Sequence, residues 1–333
     1  MPHFVSFNLL IVAVTLLPQM CYVMGFKMRK YKIIRFSRIT RTIPYHLMLL
    51  PGIILLIIYS VIPLLGNIIA FQDFQPILGF FKSEWVGLDN FKYMFQLPDT
   101  FLIFRNTLVI AVGKIVFNII LSVFFAVLLS EAYSTAFKKT VQTICFLPHF
   151  LSWVILATIF KDLLDGTGLI NTILINLNVI EKPIVFLGSN HLFQSIMVGT
   201  DVWKEFGYSA IIFIAALAGI NPELYEAAEM DGASRLRKIW HVTLPSIMVT
   251  IVLVVTLNIA NILNAGFDQV FNMYNPVVYK SGDVIDTYVY RMSFQNAQYS
   301  FATAVGLLKS VISFILIITS YKLADKFANY RIF

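Results

Sequence analysis

Gly219-Ile220-Asn221-Pro222-Glu223-Leu224-Tyr225-Glu226-Ala227-Ala228-Glu229-Met230-Asp231-Gly232-Ala233-Ser234-Arg235-Leu236-Arg237-Lys238-Ile239-Trp240-His241-Val242-Thr243-Leu244-Pro245 reads as two short helices parted by a glycine. Asn221 is a good N-cap, and Pro222 suits the first helical position. Glu223 and Glu226 favour the positive end of the helix. Ala227 and Ala228 place the strongest helix former twice in a row. Gly232 can take the left-handed conformation that ends a helix. Ser234 is placed to cap a second helix carrying Arg235, Arg237 and Lys238. Pro245 marks a break before the next apolar run. The whole is a helix–Gly–helix knuckle between two apolar runs. Two alanines in its middle let another protein's surface approach the backbone. The same pattern also suits an amphipathic loop lying on a membrane face.

The runs on either side set the fold class. Crossing the hydrocarbon layer takes roughly 20 apolar residues. Six candidates follow the basic segment near the N-terminus: about Leu47 to Ala70, Asn106 to Ser130, Val141 to Phe160, Leu192 to Leu217, Ile247 to Phe267 and Phe301 to Leu323. The composition agrees. The 333 residues are 58% apolar and 13% charged, against about 25% charged in soluble domains. A soluble globule cannot be built from this chain. The expected architecture is all-α, a polytopic membrane protein.

Basic residues orient the spans. The segments Lys27–Arg41, Glu131–Lys139, Gly219–Pro245 and the tail from Lys322 hold fifteen of the 25 Lys and Arg residues. The opposite set, Phe71–Arg105, Lys161–Asn190 and Asp268–Ser300, holds seven. Lys114, Lys204 and Lys309 lie inside spans. The richer set is also the shorter one, so both ends of the six-span unit are expected on the cytoplasmic side. The net charge of +7 is thereby assigned to topology rather than to nucleic acid. The long outer loops carry aromatic and turn residues, which fits ordered surface. The chain divides into an apolar segment 1–26, a basic cytoplasmic segment 27–46, a transmembrane domain 47–323 containing the loop 219–245, and a tail 324–333. Segment 1–26 reads either as an extra helix with its N-terminus outside or as an extension before the natural start.

Enzyme chemistry finds no foothold. No G-x-x-x-x-G-K-[ST], His-Glu-x-x-His or Gly-x-Ser-x-Gly occurs, so no nucleotide, zinc or nucleophile motif is offered. Cys21 and Cys145 form neither a metal nor a disulfide pattern. No cofactor is expected on this chain.

The spans are not uniformly apolar. Asp201, Lys204, Glu205 and Tyr208 share one face of the fourth, lining a polar cavity or marking an interface. In the fifth, Asn258, Asn261, Asn264 and Asp268 recur at three or four residues, a stripe on one helical face. Such a stripe either forms a pathway for a polar solute, with Trp203 and Tyr208 as nearby aromatic groups, or holds helices together. Lys114 and Lys309 are expected to pair or to snorkel.

Glu226-Ala227-Ala228, three residues, Gly232, nine residues, Val242, one residue, Leu244-Pro245 resembles the EAA signature of ABC-importer permeases, E-A-A-x3-G-x9-I-x-L-P. The one departure is Val242. Trp85 to Phe91, Asn106-Thr107, Leu147-Pro148, Gly168 to Asn171 and Trp203 extend the resemblance over most of the chain after Lys27, toward the maltose-permease-like group and its branch for complex polysaccharide fragments. The resemblance implies a six-helix permease core in the bacterial cytoplasmic membrane that imports oligosaccharides. It implies a second, similar permease, two cytoplasmic ATPase subunits that hold the ATP and Mg, and an extracytoplasmic solute-binding protein. Glu226, Ala227, Ala228, Asp231, Gly232, Leu244 and Pro245 are implied as the coupling surface, with Glu226 presented to a basic residue of the ATPase and Gly232 as the bend. A non-sugar solute, or an anchor that recruits an ATPase without transport, are the alternatives.

Overall fold

The computed structural model describes the backbone of residues 36–328 and the side chains of 45–322. Segment 1–26, residues 27–35 of the basic segment and residues 329–333 of the tail lie outside the described residues. The chain falls into two compact units, one ending at Val86 and one beginning at Gly87.

The first unit is one apolar helix and a hairpin. Helix α1 spans Phe36–Leu56 and continues through Ile57–Val61, Ile62–Leu65 and Gly66–Phe71 in wider and tighter turns. Tyr45–Phe71 is long and apolar enough to cross a membrane. Nearly all of its side chains are exposed within the unit, which suits a lipid solvent. Two short antiparallel strands, β1 (Gln72–Asp73) and β2 (Glu84–Trp85), close the hairpin. Phe71 stacks on Trp85 at 5.8 Å.

The second unit holds the remaining spans. A short helix α2 (Asp89–Gln96) precedes α3 (Pro98–Glu131), which begins eight residues before the expected second span. Pro98 sits in the first turn, where its missing N–H costs nothing, and so lengthens the helix outward. Next come α4 (Thr135–Phe146), α5 (Trp153–Leu164), α6 (Leu169–Asn176) and α7 (Phe193–Ala218). The helices of the knuckle are α8 (Glu223–Met230) and α9 (Arg235–Lys238). After them come α10 (Leu244–Ile259), α11 (Phe267–Met273), α12 (Ile285–Tyr290) and α13 (Tyr299–Ala328).

Helices α3 and α7 form the main seam. Ser122 donates to the Phe206 carbonyl across it at 2.9 Å. A Cβ added at Gly207 would lie 2.1 Å from the carbonyl oxygen of Cys145, so α4 and α7 touch backbone to backbone. Small residues permit such contacts between helices in lipid.

Two expected spans are not single helices. The third is bent by 99° between Thr135–Phe150 and Trp153–Asn176. Pro148 lies in the tight turn Leu147–Phe150, and Ser152 starts the next helix by accepting from the Ile155 N–H at 3.4 Å. The fifth ends at Ile259, and the chain crosses residues 260–266 without regular helix. Gly266 there has a φ of 87°, a value that stops α10 from running on into α11. Counting the bent pairs, six candidate spans occur among the described residues, and four if they are left out. Helix α7 is long enough alone but carries Asp201, Lys204 and Glu205.

Candidate functional site

Two regions answer to the sequence reading, one at each end of α10. The knuckle is built locally. The side-chain oxygen of Asn221 accepts from the Glu223 N–H at 3.1 Å. Helix α8 then runs to Met230 and closes on Gly232, whose φ is 72°. The Gly232 N–H bonds the Glu229 carbonyl and the Ala233 N–H bonds the Ala228 carbonyl, both at 2.9 Å. This paired closure is the Schellman motif and requires the left-handed residue. Ser234 occupies the cap position of α9 but makes no capping bond with its side chain.

Pro245 does not break the helix as the sequence implied. Residues Arg235–Ile259 form one 25-residue helical run. A wide turn, Ile239–Thr243, precedes the proline, and the Leu244 N–H reaches back to Ile239. The widened register absorbs the backbone that a proline would otherwise disrupt. The second helix of the knuckle is therefore continuous with the fifth span. Three side-chain contacts brace it. Tyr225 hydroxyl meets Thr243 Oγ1 at 3.0 Å. Lys238 pairs with Glu229, and its hydrogen bond and charge hold the Glu229 carboxyl below the usual range. Arg235 bonds the Tyr133 hydroxyl and lies over its ring, tying the knuckle to the end of α3. Glu226, Ala227, Asp231 and Gly232 are exposed, Ala228 and Leu244 half-buried, and Pro245 exposed.

The second region is a cavity of about 310 Å³. Its lining includes Lys114 and Asn118 of α3, Asp201, Glu205 and Ser209 of α7, and Asn258, Asn261, Asn264 and Gly266. Asn258 donates to the Val254 carbonyl at 2.8 Å, and Asn261 to the Leu257 carbonyl at 3.5 Å. Their amide oxygens are left to accept from hydroxyl groups. The stripe reading holds in part. Three asparagines line one cavity, although only Asn258 does so from a helix.

Lys114 organises this region. It is 7% exposed. Its ammonium bonds the Ala265 carbonyl at 2.7 Å and the Gln269 side-chain oxygen, and it lies 3.0 Å from Asp201. An ammonium has three hydrogens, and all three are engaged. Lys114 therefore holds the irregular stretch of the fifth span rather than offering a charge to a ligand. Gln269 passes the restraint on, donating to the Met197 carbonyl at 2.8 Å and to Thr200 at 2.7 Å. A Cβ at Gly266 would sit 2.9 Å from the Lys114 nitrogen. Nothing in the sequence joins Lys114 to Gln269, and Gln269 was not singled out.

The other charges of the fourth span are also paired. Lys204 bonds Glu205 at 2.8 Å and the His149 carbonyl at 2.7 Å. Glu205 meets the His149 ring nitrogen at 2.6 Å. Charges in a low-dielectric site need such partners. Tyr208 stacks on His149 at 3.9 Å, and Trp203 meets Phe160 edge-on. Both serve the packing near the bend of the third span and lie off the cavity lining, as does Asp268. Lys309, expected to pair, bonds Asp286. Among the described residues no His, Cys, Asp and Glu cluster could hold a metal.

This is the plan of a transporter's membrane subunit: bent spans, a polar cavity and a helical knuckle continuous with one of the spans. Residues 118–329 match the family described as binding-protein-dependent transport system inner membrane component, and the chain belongs to it. It is 42% identical to protein LplB of Bacillus subtilis, over 86% of this chain and 90% of that one. It is 40% identical to the polygalacturonan/rhamnogalacturonan transport system permease protein YteP of the same organism, over 86% and 89%. A chain from the crystal structure of a bacterial ABC transporter involved in the import of the acidic polysaccharide alginate matches with a TM-score of 0.81 and 33% identity, over 88% and 98% of the two chains.

Proposed function

We propose that this chain is a membrane-spanning subunit of an ATP-driven oligosaccharide importer in the bacterial cytoplasmic membrane. The observation that carries the reading is mechanical. Helical run Arg235–Ile259 starts in the knuckle, and Asn258 in its last turn lies on the cavity. A push on Glu226, Ala227, Ala228 and Asp231 moves the asparagines at the far end. Stiff elements with two positions are what conformational coupling needs. In this reading two ATPase subunits hold ATP and Mg and press on the knuckle, and a second permease completes the pathway. An extracytoplasmic binding protein delivers the sugar. Two of the relatives above belong to a polygalacturonan/rhamnogalacturonan transport system and to an importer of the acidic polysaccharide alginate, and we place the substrate among acidic oligosaccharides. Lys114 and Lys204 are neutralised within this chain by Asp201 and Glu205, so cations for a uronate come from elsewhere on the path.

The test is uptake of labelled oligogalacturonides by cells with the gene, without it, and with Glu226→Ala. Uptake that needs both the gene and Glu226 supports the reading. Equal uptake in all three strains overturns it.

A further inference from the structure

The charges beside the cavity cancel. Lys114 is matched by Asp201 and Lys204 by Glu205, so this wall presents neither sign to a solute. One further titratable ring touches the set. His149 lies in the tight turn Leu147–Phe150 at the bend of the third span, behind Glu205, which lines the cavity. A carboxylate only accepts, so His149 Nδ1 carries the hydrogen of their 2.6 Å bond. Nδ1–H makes that bond whether the ring is neutral or charged. Nε2 has no hydrogen-bond partner among the described residues, and the side chain is 28% exposed. A proton can therefore be added at Nε2 without breaking a contact.

The surroundings accept that charge. From α7, Glu205 supplies the opposite charge, already bonded to the ring. Tyr208 lies parallel to the ring at 3.9 Å, and an aromatic face is a favourable neighbour for a cation. The like charge on this side is Lys204, whose ammonium bonds the His149 carbonyl oxygen and is matched by Glu205. Helix α4, which leads into the turn, brings the Cys145 thiol four residues before His149, with Lys138 and Lys139 nearer its start. Helix α5, which leaves the turn, opens with the uncharged Trp153.

We propose that His149 sets the charge of the cavity wall, and thereby its preference between acidic and neutral oligosaccharides. This rests on the importer reading above. With the ring neutral, two cations face two carboxylates and the wall sums to zero. With Nε2 protonated, three cations face the same two carboxylates and the sum is +1. The added charge lies one side chain away from the cavity. Imidazole is the side chain that ordinarily gains its charge between about pH 5 and 8. A charge also acts more strongly through a low-dielectric wall than through water. Uronate carboxylates stay ionised over the same range, so acid conditions favour an acidic glycan and leave a neutral one unaffected. His149 touches Glu205 rather than the solute, so it acts through the field of the wall and not as a ligand.

The test uses the full importer, reconstituted with its ATPases and binding protein. Uptake kcat/KM is measured for an oligogalacturonide and a neutral arabino-oligosaccharide of equal length, between about pH 5.5 and 8. Dividing each variant by wild type at the same pH removes what the binding protein and the ATPases contribute. His149→Gln keeps an amide to bond Glu205 but carries no charge. It is expected to lower kcat/KM for the acidic glycan roughly threefold to tenfold at the acid end and to match wild type at the alkaline end, with the neutral glycan unaffected throughout. His149→Lys keeps a cation across the range. It is expected to match wild type at the acid end and to exceed it for the acidic glycan at the alkaline end. A variant ratio that does not change with pH, or that is the same for both glycans, is the pattern of a packing defect and overturns the role. Where neither variant assembles, the wild type decides: a preference for the acidic glycan that grows toward acid pH supports the role, and one that does not overturns it. Indifferent variants beside normal uptake remove the role and leave the importer. Uptake of the neutral glycan alone removes the acidic substrate and this role with it. If the wild type takes up neither glycan, the importer reading falls as well.

Discussion

The two ends of α10 are built in opposite ways. The knuckle at its start is held mainly by near neighbours: Glu229 and Lys238 are 9 residues apart, Tyr225 and Thr243 are 18 apart. The cavity end is held by distant ones. Lys114 is 151 residues from Ala265 and 155 from Gln269. Gln269 is 69 from Thr200. One end is a rigid local fold with exposed side chains. The other is an irregular segment held by a buried ammonium. In the proposed reading this arrangement is a lever: the handle keeps its own shape while the far end bears on several helices.

The largest expected effect tests the handle. Gly232 at φ 72° cannot be replaced by proline, whose φ stays near about −65°. Gly232→Pro is expected to abolish sugar uptake, and stimulation of ATP hydrolysis by loaded binding protein with it, while some ATPase still copurifies. Glu226→Ala is expected to do the reverse in part, weakening copurification first. Wild-type uptake by both variants would remove the knuckle from the coupling role.

Next comes the far end. Lys114→Met leaves Asp201 without its partner and frees the Ala265 carbonyl. Breaking one side of a buried pair costs about 3–5 kcal/mol. The variant is expected to lower the unfolding temperature in detergent strongly. Lys114→Met with Asp201→Leu is expected to recover part of the loss. A single variant as stable as wild type would show that the ion pair does not hold the segment.

Smaller effects separate the polar residues. Asn261 lines the cavity and Asp268 does not. Asn261→Leu is expected to raise the uptake KM by roughly tenfold, the equivalent of about 1.4 kcal/mol. Asp268→Leu is expected to have a lesser effect. The reverse order in uptake kinetics would place the sugar path on the Asp268 side.

The same contrast explains what the sequence made legible. The spans follow from apolar length, and the knuckle from caps, alanines and one glycine, all local signals. Gly232 is left-handed as that reading required. The bends of the third and fifth spans were less visible, because Pro148 in an apolar run marks a kink without giving its angle. Pro245 misled in the other direction, since a wide turn at Ile239–Thr243 accommodates it. The asparagines were found by periodicity, yet they meet across an interrupted helix. Lys114 was expected to pair, but its partners Asp201 and Gln269 lie on other helices. No spacing rule connects residues that only tertiary packing brings together.

The smallest expected effects lie in the braces that join handle to lever. Tyr225→Phe removes the hydroxyl bond to Thr243 and keeps the ring, so the cost is that of one hydrogen bond, about 0.5–1.5 kcal/mol. Thr243 is 2% exposed, and it keeps only a long bond to the Lys238 carbonyl at 3.5 Å. Its loss of the tyrosine partner is therefore felt. Glu229→Gln breaks a pair whose carboxylate is 61% exposed, where water and salt screen the attraction. Glu229 is held below the ordinary carboxylate range by Lys238. Its contribution is present above that range and is lost only as pH falls through the depressed value. Near neutral pH it does not titrate. ATPase stimulation by loaded binding protein, measured across salt and pH, is thus expected to fall about twofold to tenfold in Tyr225→Phe at every salt concentration. In Glu229→Gln it is expected to change less, and only at low salt. A Glu229→Gln effect larger than that of Tyr225→Phe would mean that the exposed pair, and not the hydroxyl bond, transmits force through the knuckle.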